Sequence, residues 1–361
     1  MKRAIRTVLL CLFCLSLGMR VAEPKPLTVS PSAERSEEET AFGRDRALLC
    51  SVSLEAVFTV EGGSKTVHRG AGVLIEVDRE RGDGLVMTNR HLLWSEKAGM
   101  AQEIRLYLYG QELQRYAIEG KYKGGFASFD YALVEIENSE ILRRSQAREA
   151  VLREDAPQLG ETVYAVGNGL GQGLAVSVGA VGKNDECYGT PCGWLTRYML
   201  RTDAPINHGN SGGGLFDGQG RLVGMVTSRV VEAQGEVALG IGYAIPVYLT
   251  EALKQAAKEG RQALYLPPFS CRVTETATEV VGQDIDILQT VSVTESDWEA
   301  IQVGDILIEL ETEDGVIQVT SLPVLSAALL SLKQGESARI LVLRHGKREW
   351  ISLSVVYREV P

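Results

Sequence analysis

The chain of 361 residues is poor in basic charge, in histidine and in long apolar runs. Its 37 Lys and Arg stand against 47 Asp and Glu, a formal net charge of -10, and no basic stripe offsets this anywhere along the chain. Such a chain offers little to a phosphate backbone, so nucleic acid is not an expected partner. The apolar run near the N-terminus, TVLLCLFCLSLGM, is short of the roughly 20 residues a bilayer-spanning helix needs. With 4 histidines in all, any imidazole chemistry rests on His68, His91, His208 or His345.

Against these shortages, 45% hydrophobic content provides ample material for two or three domains with cores of their own. The start, MKRAIR followed by the short apolar run and RVAEP, reads as an export signal over residues 1–22, cleaved on export; a retained anchor is the alternative. Cys11 and Cys14 would leave with it. Of the cysteines that remain, Cys187 and Cys192 bracket a Gly-Thr-Pro turn in CYGTPC, and in an oxidising compartment they are expected to close a small disulfide ring. Cys50 and Cys271 are either a second pair or two free buried thiols. No histidine lies near the cysteine pair, so neither zinc nor any other metal is expected.

Residues 23–44, rich in proline, serine and acids, read as a flexible tether. From about 45 to 245 come short apolar or alternating segments, among them AVFTV, GVLIEV, LVMTN, YALVEI, TVYAVG, RLVGMVTS and GYAIPV, punctuated by glycine, asparagine and aspartate. Many short strands with close turn signals predict an all-β barrel or sandwich. PVYLTEALKQAAKEG follows as a helix with Gly260 at its end, closing a domain over 45–260. After the Leu266-Pro267-Pro268 break, IDILQTVSV, GDILIELE, the helix-like PVLSAALLSLKQG, ARILVLR and REWISLSVVY form a small β-rich domain over 261–361.

The stretch NHGNSGGG, residues 207–214, places Ser211 among glycines. Glycine tolerates backbone shapes that a Cβ forbids, and the cluster makes sense if the amides of Gly209, Asn210 and Ser211 converge on an oxyanion. A serine needs a base, and the base needs an orienting acid. His91, in VMTNRHLL, sits at the end of an apolar strand. His68, in a polar turn, and His345, in an RHGK hairpin, read as surface groups, and His208 as a loop residue facing solvent. Asp130 opens the apolar strand in FDYALVEI, where it can be buried against an imidazole. The order His91, Asp130, Ser211, with spacings of 39 (130−91) and 81 (211−130), suits a two-barrel serine hydrolase.

TNRH, DYALV, TDAPINHGNSGGGLFDGQGRLVGMVTS and GYAIP, followed by VGDILIEL, together resemble the HtrA/Deg family of trypsin-like serine proteases with a PDZ domain. The resemblance covers most of the chain from about residue 50. It implies a double six-stranded β-barrel followed by a PDZ-like domain, with His91 as general base, Asp130 as its orienter and Ser211 as nucleophile. The oxyanion site would be the backbone of Gly209 and Ser211, with Asn210 shaping the loop. Thr227 and Ser228 would line the substrate cleft, and Ile206 and Val230 would wall an S1 pocket suited to small aliphatic side chains. It further implies an exported enzyme, periplasmic or secreted, without cofactors, that cleaves unfolded or misfolded proteins and assembles as a homotrimer. A non-catalytic scaffold for client peptides is the competing reading. Two departures stand out. Residues 183–198 fall where the family carries a regulatory loop, here stiffened by the expected disulfide. Tyr265-Leu266-Pro267-Pro268 replaces the glycine-containing loop that grips a peptide's terminal carboxylate, and proline offers no N–H for that capture.

Overall fold

The computed structural model describes residues 43–361 apart from 61, 112–115, 128, 188–197, 230–231, 234–235, 238–239, 262, 266, 282–283 and 359–361. The expected export signal lies outside the described residues, as does the tether up to residue 42. The described residues 43–49 are helical (α1), so the two last residues assigned to the tether are helical.

Period-two patterning builds the first barrel. In β1 (Ser51–Thr59), Val52, Leu54, Ala56 and Phe58 enter one apolar core, and the intervening residues lie on the strand's other face, where Ser53 and Val57 are also buried. The strand pairs with β2 (Lys65–Asp78), which pairs with β3 (Asp83–Thr88). Helix α2 (Arg90–Leu93) and the short hairpin of β4 (Trp94–Ser95) and β5 (Gly99–Met100) lead to β6 (Glu103–Leu108), β7 (Ile118–Phe126) and β8 (Tyr131–Ile136). The six long strands close in the order β1-β2-β3-β8-β7-β6. His68, assigned to a polar turn from the sequence, lies within β2 opposite Ala56, its ring 4.5 Å from that of Phe58. Its flanking polar residues are the outer face of a strand, which reads like a turn when only hydrophilicity is considered.

The second barrel follows helix α3 (Glu140–Arg144) and β9 (Val151–Leu152). It comprises β10 (Thr162–Gly167), β11 (Ala175–Cys187), β12 (Tyr198–Thr202), β13 (Gly214–Phe216), β14 (Arg221–Arg229) and, beyond the small hairpin β15 (Glu232–Ala233) and β16 (Glu236–Val237), β17 (Gly242–Pro246). Its sheet runs β13-β10-β11-β12-β17-β14, and the pairing of β13 with β14 completes a six-stranded ring.

A third core lies between the barrels and explains why β8 is apolar on both faces. Ala132, Val134 and Ile136 fill the first barrel, while Tyr131 and Leu133 join Val166, Phe216, Met225 and Ile245 from the second. Helix α4 (Val247–Lys258) seals this core with Leu249, Leu253, Ala256 and Ala257, spaced as one helical face. It ends where Gly260 adopts φ +71°, with Arg261 N–H donating to the Ala256 carbonyl and Gly260 N–H to that of Ala257, a glycine-terminated helix end.

Beyond it, β18 (Leu264–Tyr265) pairs with β25 (Tyr357–Arg358). A six-stranded sheet of β19 (Phe269–Val281), β20 (Asp284–Ser296), β21 (Ile306–Thr312), β22 (Gly315–Gln318), β23 (Ser337–Arg344) and β24 (Lys347–Ser354) packs on helix α5 (Leu322–Ser331) around its own core. Two leucines cross the seam: Leu264 and Leu330 enter the inter-barrel core, while their neighbours Tyr265 and Leu329 enter the C-terminal one. The all-β architecture with two six-stranded barrels and a small β-rich C-terminal unit is the one the sequence predicts. Cys50 and Cys271 are free and buried in different cores, which resolves their alternatives in favour of separate thiols.

Candidate active site

Three elements bring the chemistry-bearing residues together. Strand β3 ends at Thr88, and α2 then carries His91 with its side chain half exposed. Asp130, immediately before β8, is held at φ +50°, an uncommon backbone for a residue with a Cβ. The structure over-determines it: its carbonyl accepts from Asn89 Nδ2 at 3.0 Å and from Arg90 N at 3.2 Å, and its amide donates to the Ala127 carbonyl at 3.0 Å. Its carboxylate is aimed at His91. Oδ1 accepts from the His91 amide at 2.8 Å, and Oδ2 lies 2.7 Å from His91 Nδ1. A carboxylate can only accept, so the neutral imidazole carries its proton on Nδ1 and leaves Nε2 free to take one. The acid expected to be buried keeps 29% side-chain exposure, and His91 keeps 49%.

Thr227 ties this pair to the serine. Its hydroxyl donates to Asp130 Oδ2 at 2.8 Å, and its carbonyl accepts from Ser211 Oγ at 3.2 Å. Ser211 is further anchored by its own carbonyl, which accepts from Ala71 N at 2.9 Å on β2. The glycines around it fit because no side chain could. A Cβ on Gly212, at φ +81°, would stand 2.2 Å from both the Ala71 carbonyl oxygen and Thr88 Oγ1, and one on Gly209, at φ +97°, would stand 2.0 Å from the Asn168 carbonyl oxygen.

Among the described residues, the amides of Gly209 and Ser211 donate to no partner, whereas the Asn210 amide donates to the Asn207 carbonyl at 3.0 Å. The Asn210 amide is thus engaged within the turn. Asn210 closes the turn, helped by its Nδ2 donating to the Pro205 carbonyl at 3.3 Å. The 168–171 segment backs this turn, with Asn168 N bonded to the Gly209 carbonyl at 3.1 Å and Leu170 N to that of His208 at 2.7 Å. His208 itself is exposed, as expected, and so is His345 at the β23–β24 turn.

Of the expected cleft residues, Thr227 is buried, and Ser228 is half-buried with a hydroxyl that has no partner. Ile206 is buried in the second barrel's core, where a Cβ on Gly242 would lie 2.5 Å from its Cγ1. Val230 and Cys192, and with the latter the expected disulfide, lie outside the described residues. The sequence reading missed the brace from Asn89 and the link made by the Thr227 hydroxyl. The TNRH segment contained the first signal, because an asparagine two residues ahead of a strand-end histidine can cap the opposing loop.

The model of the trypsin-like peptidase domain matches residues 70–225, the span that contains His91, Asp130 and Ser211. The chain therefore carries a trypsin-like peptidase domain on the two-barrel body that such a site requires. It is 26% identical over 299 residues to the serine endoprotease DegS of Haemophilus influenzae, covering 81% of this chain and 77% of that one. It is 28% identical over 291 residues to the periplasmic pH-dependent serine endoprotease DegQ of Escherichia coli, covering 77% of this chain. Of DegQ the match covers 57%, so the chain spans a little over half of that relative's length. In fold it is similar to the HtrA-type protease AlgW with tripeptide, with a TM-score of 0.58 and 22% identity over 89% of this chain and 98% of the other. The peptidase-domain match and the serine endoproteases among its relatives together support an HtrA/Deg trypsin-like serine protease.

Proposed function

We propose that the protein is an exported serine endopeptidase that hydrolyses unfolded or misfolded proteins through an acyl-enzyme. Ser211 attacks the scissile carbonyl, His91 Nε2 takes the hydroxyl proton, and the Gly209 and Ser211 amides receive the developing oxyanion. His91 then gives its proton to the leaving amine, and water repeats the sequence to free the acid product. Asp130 keeps the imidazole in the Nδ1–H tautomer and offsets the charge of the imidazolium. Rotation of the Ser211 side chain from the Thr227 carbonyl towards His91 precedes attack, as is common where catalytic bonds tighten only around substrate.

The observation that carries this reading is the chain of bonds from His91 Nδ1 through Asp130 and Thr227 to Ser211 Oγ, beside two unengaged amides. Ile206 and Val230 would wall the S1 pocket, and the partnerless Ser228 hydroxyl would receive substrate backbone. The names of the DegQ and DegP relatives support the periplasm as the site of action. The C-terminal unit is read as PDZ-like over 261–361, the barrels as the protease domain over 45–260, and peptide-carboxylate capture by Tyr265–Pro268 as weak. The test is labelling by a fluorophosphonate with mass-spectrometric assignment to Ser211, alongside casein hydrolysis. Ser211→Ala should abolish labelling and lower turnover on the order of 10⁶-fold. Casein bound but uncut, with Ser211 unlabelled, would replace the enzyme by the scaffold.

A further inference from the structure

A second polar cleft, of about 320 Å³, opens between the first barrel and the loop that backs the oxyanion turn. Ser53, Glu55, Arg69, Arg105, Tyr107 and Gly171 are among its lining residues. Its one acid is already engaged: Glu55 accepts from Arg69 Nε at 2.9 Å and from the Tyr107 hydroxyl at 3.2 Å, with Arg105 Nη1 at 3.9 Å. Arg105 in turn spends Nε and Nη2 on Glu103, at 2.6 and 2.8 Å. What remains is donor-rich. The terminal nitrogens of Arg69 have no partner among the described residues, and the side chain is 53% exposed. Ser53, only 3% exposed, has a buried hydroxyl with no hydrogen-bond partner. A buried hydroxyl without a partner is unfavourable unless a ligand supplies one.

The cleft is a neighbour of the nucleophile. Arg69 stands two residues along β2 from Ala71, whose amide holds the Ser211 carbonyl at 2.9 Å. At about 3.3 Å per residue that is roughly 7 Å, the reach of the second or third residue of an extended peptide beyond its scissile bond. Gly171 makes room for the arginine, since a Cβ there would sit 2.8 Å from Arg69 Cδ. Ser211 sits between β14, whose Thr227 carbonyl accepts from its Oγ, and β2, whose Ala71 amide holds its carbonyl, so with β14 receiving the acyl half of a substrate, as in the protease reading above, the cleft on β2 faces the departing half.

We propose that the cleft is a carboxylate-binding subsite that favours substrates with an acidic side chain two or three residues beyond the cleaved bond, read by Arg69 and Ser53. This rests on the protease reading above. Cleavage sites mapped in reduced, alkylated casein supply a parent peptide, which is synthesised with Glu or with Gln at each of those two positions. The Glu form should show about five- to tenfold higher kcat/KM at one of them, with the preference shrinking in 0.5 M salt, about the concentration that screens half-exposed charges. Arg69→Gln should bring the ratio close to one, and Ser53→Ala should lower it while the thermal melt stays at the wild-type position. Equal rates for Glu and Gln forms in the wild type, or a ratio that Arg69→Gln leaves in place, overturns the subsite while peptide cleavage leaves the protease reading intact. Failure to label Ser211 or to cut casein at all overturns that reading, and the subsite with it.

Discussion

Thr227→Val deletes one hydroxyl while keeping the side chain's shape and the backbone carbonyl that holds Ser211. The lost group supplies one of three hydrogen bonds on the Asp130 carboxylate, the others coming from the His91 amide at 2.8 Å and from His91 Nδ1 at 2.7 Å. A hydrogen bond to a charged acceptor contributes roughly 1.5–3 kcal/mol. Because Asp130 keeps 29% side-chain exposure, water replaces part of it, leaving a net loss of about 1–1.5 kcal/mol. The carboxylate matters most when the imidazolium forms, so the loss falls on kcat, about five- to tenfold, with KM nearly unchanged. Initial rates on fluorescent casein over a substrate series give both constants, and circular dichroism melts establish that the variant is folded. A kcat within twofold of wild type would show that Thr227 does not position Asp130. A fall confined to KM would make it a substrate contact instead.

Gly212→Ala places a methyl 2.2 Å from the Ala71 carbonyl oxygen at a positive φ, and we expect a loss upwards of about 4 kcal/mol in denaturant titration, or no soluble protein. In the C-terminal unit, Asp305 is 1% exposed, and Arg344 donates to it at 2.8 and 2.7 Å. Burial pushes its carboxyl up, but the Arg344 bonds and the Gln302 amide outweigh burial and hold it below the usual range. Arg344→Met should therefore cost about 3–5 kcal/mol at neutral pH. A depressed carboxyl stabilises the fold above its unfolded value, about pH 4, and the gain fades as pH falls through the folded value, so the melts of wild type and variant should converge in acid. Burial pushes the Cys50 thiol up to about 12 and that of Cys271 higher still. Iodoacetamide at pH 8 should leave both unmodified in the native protein and alkylate both in guanidinium, as read by peptide mass spectrometry.

Strands were legible wherever one side of the chain faces a core, because alternation survives in the sequence, as in β1. The doubly apolar YALVEI was legible as a strand but not as the wall between two cores, since a run buried on both faces loses its period. His91, Asp130 and Ser211 could be named from their local contexts, whereas the bonds joining them depend on strand closure that no local pattern contains. Thr227 shows the limit most clearly. The β14–β17 register shifts between Val226 and Ser228, so side-chain parity changes at this residue, and counting by twos along MVTS cannot say where its hydroxyl points. Ser53 and Arg69 were invisible for a similar reason: their cleft joins three strands to a loop about a hundred positions downstream of both residues, and each residue alone looks like ordinary strand-surface polarity.

Leu264 and Leu330 have a consequence for dissecting the chain. A polypeptide ended at residue 260 would leave two empty sockets on the barrel body, and one begun at residue 266 would lose Tyr265 from the other core. Neither half comes away clean. Excised barrels should melt earlier and stick to one another through the uncovered patch, and the intact chain should resist limited trypsin digestion around residues 258–264 better than a tethered, independently tumbling module would.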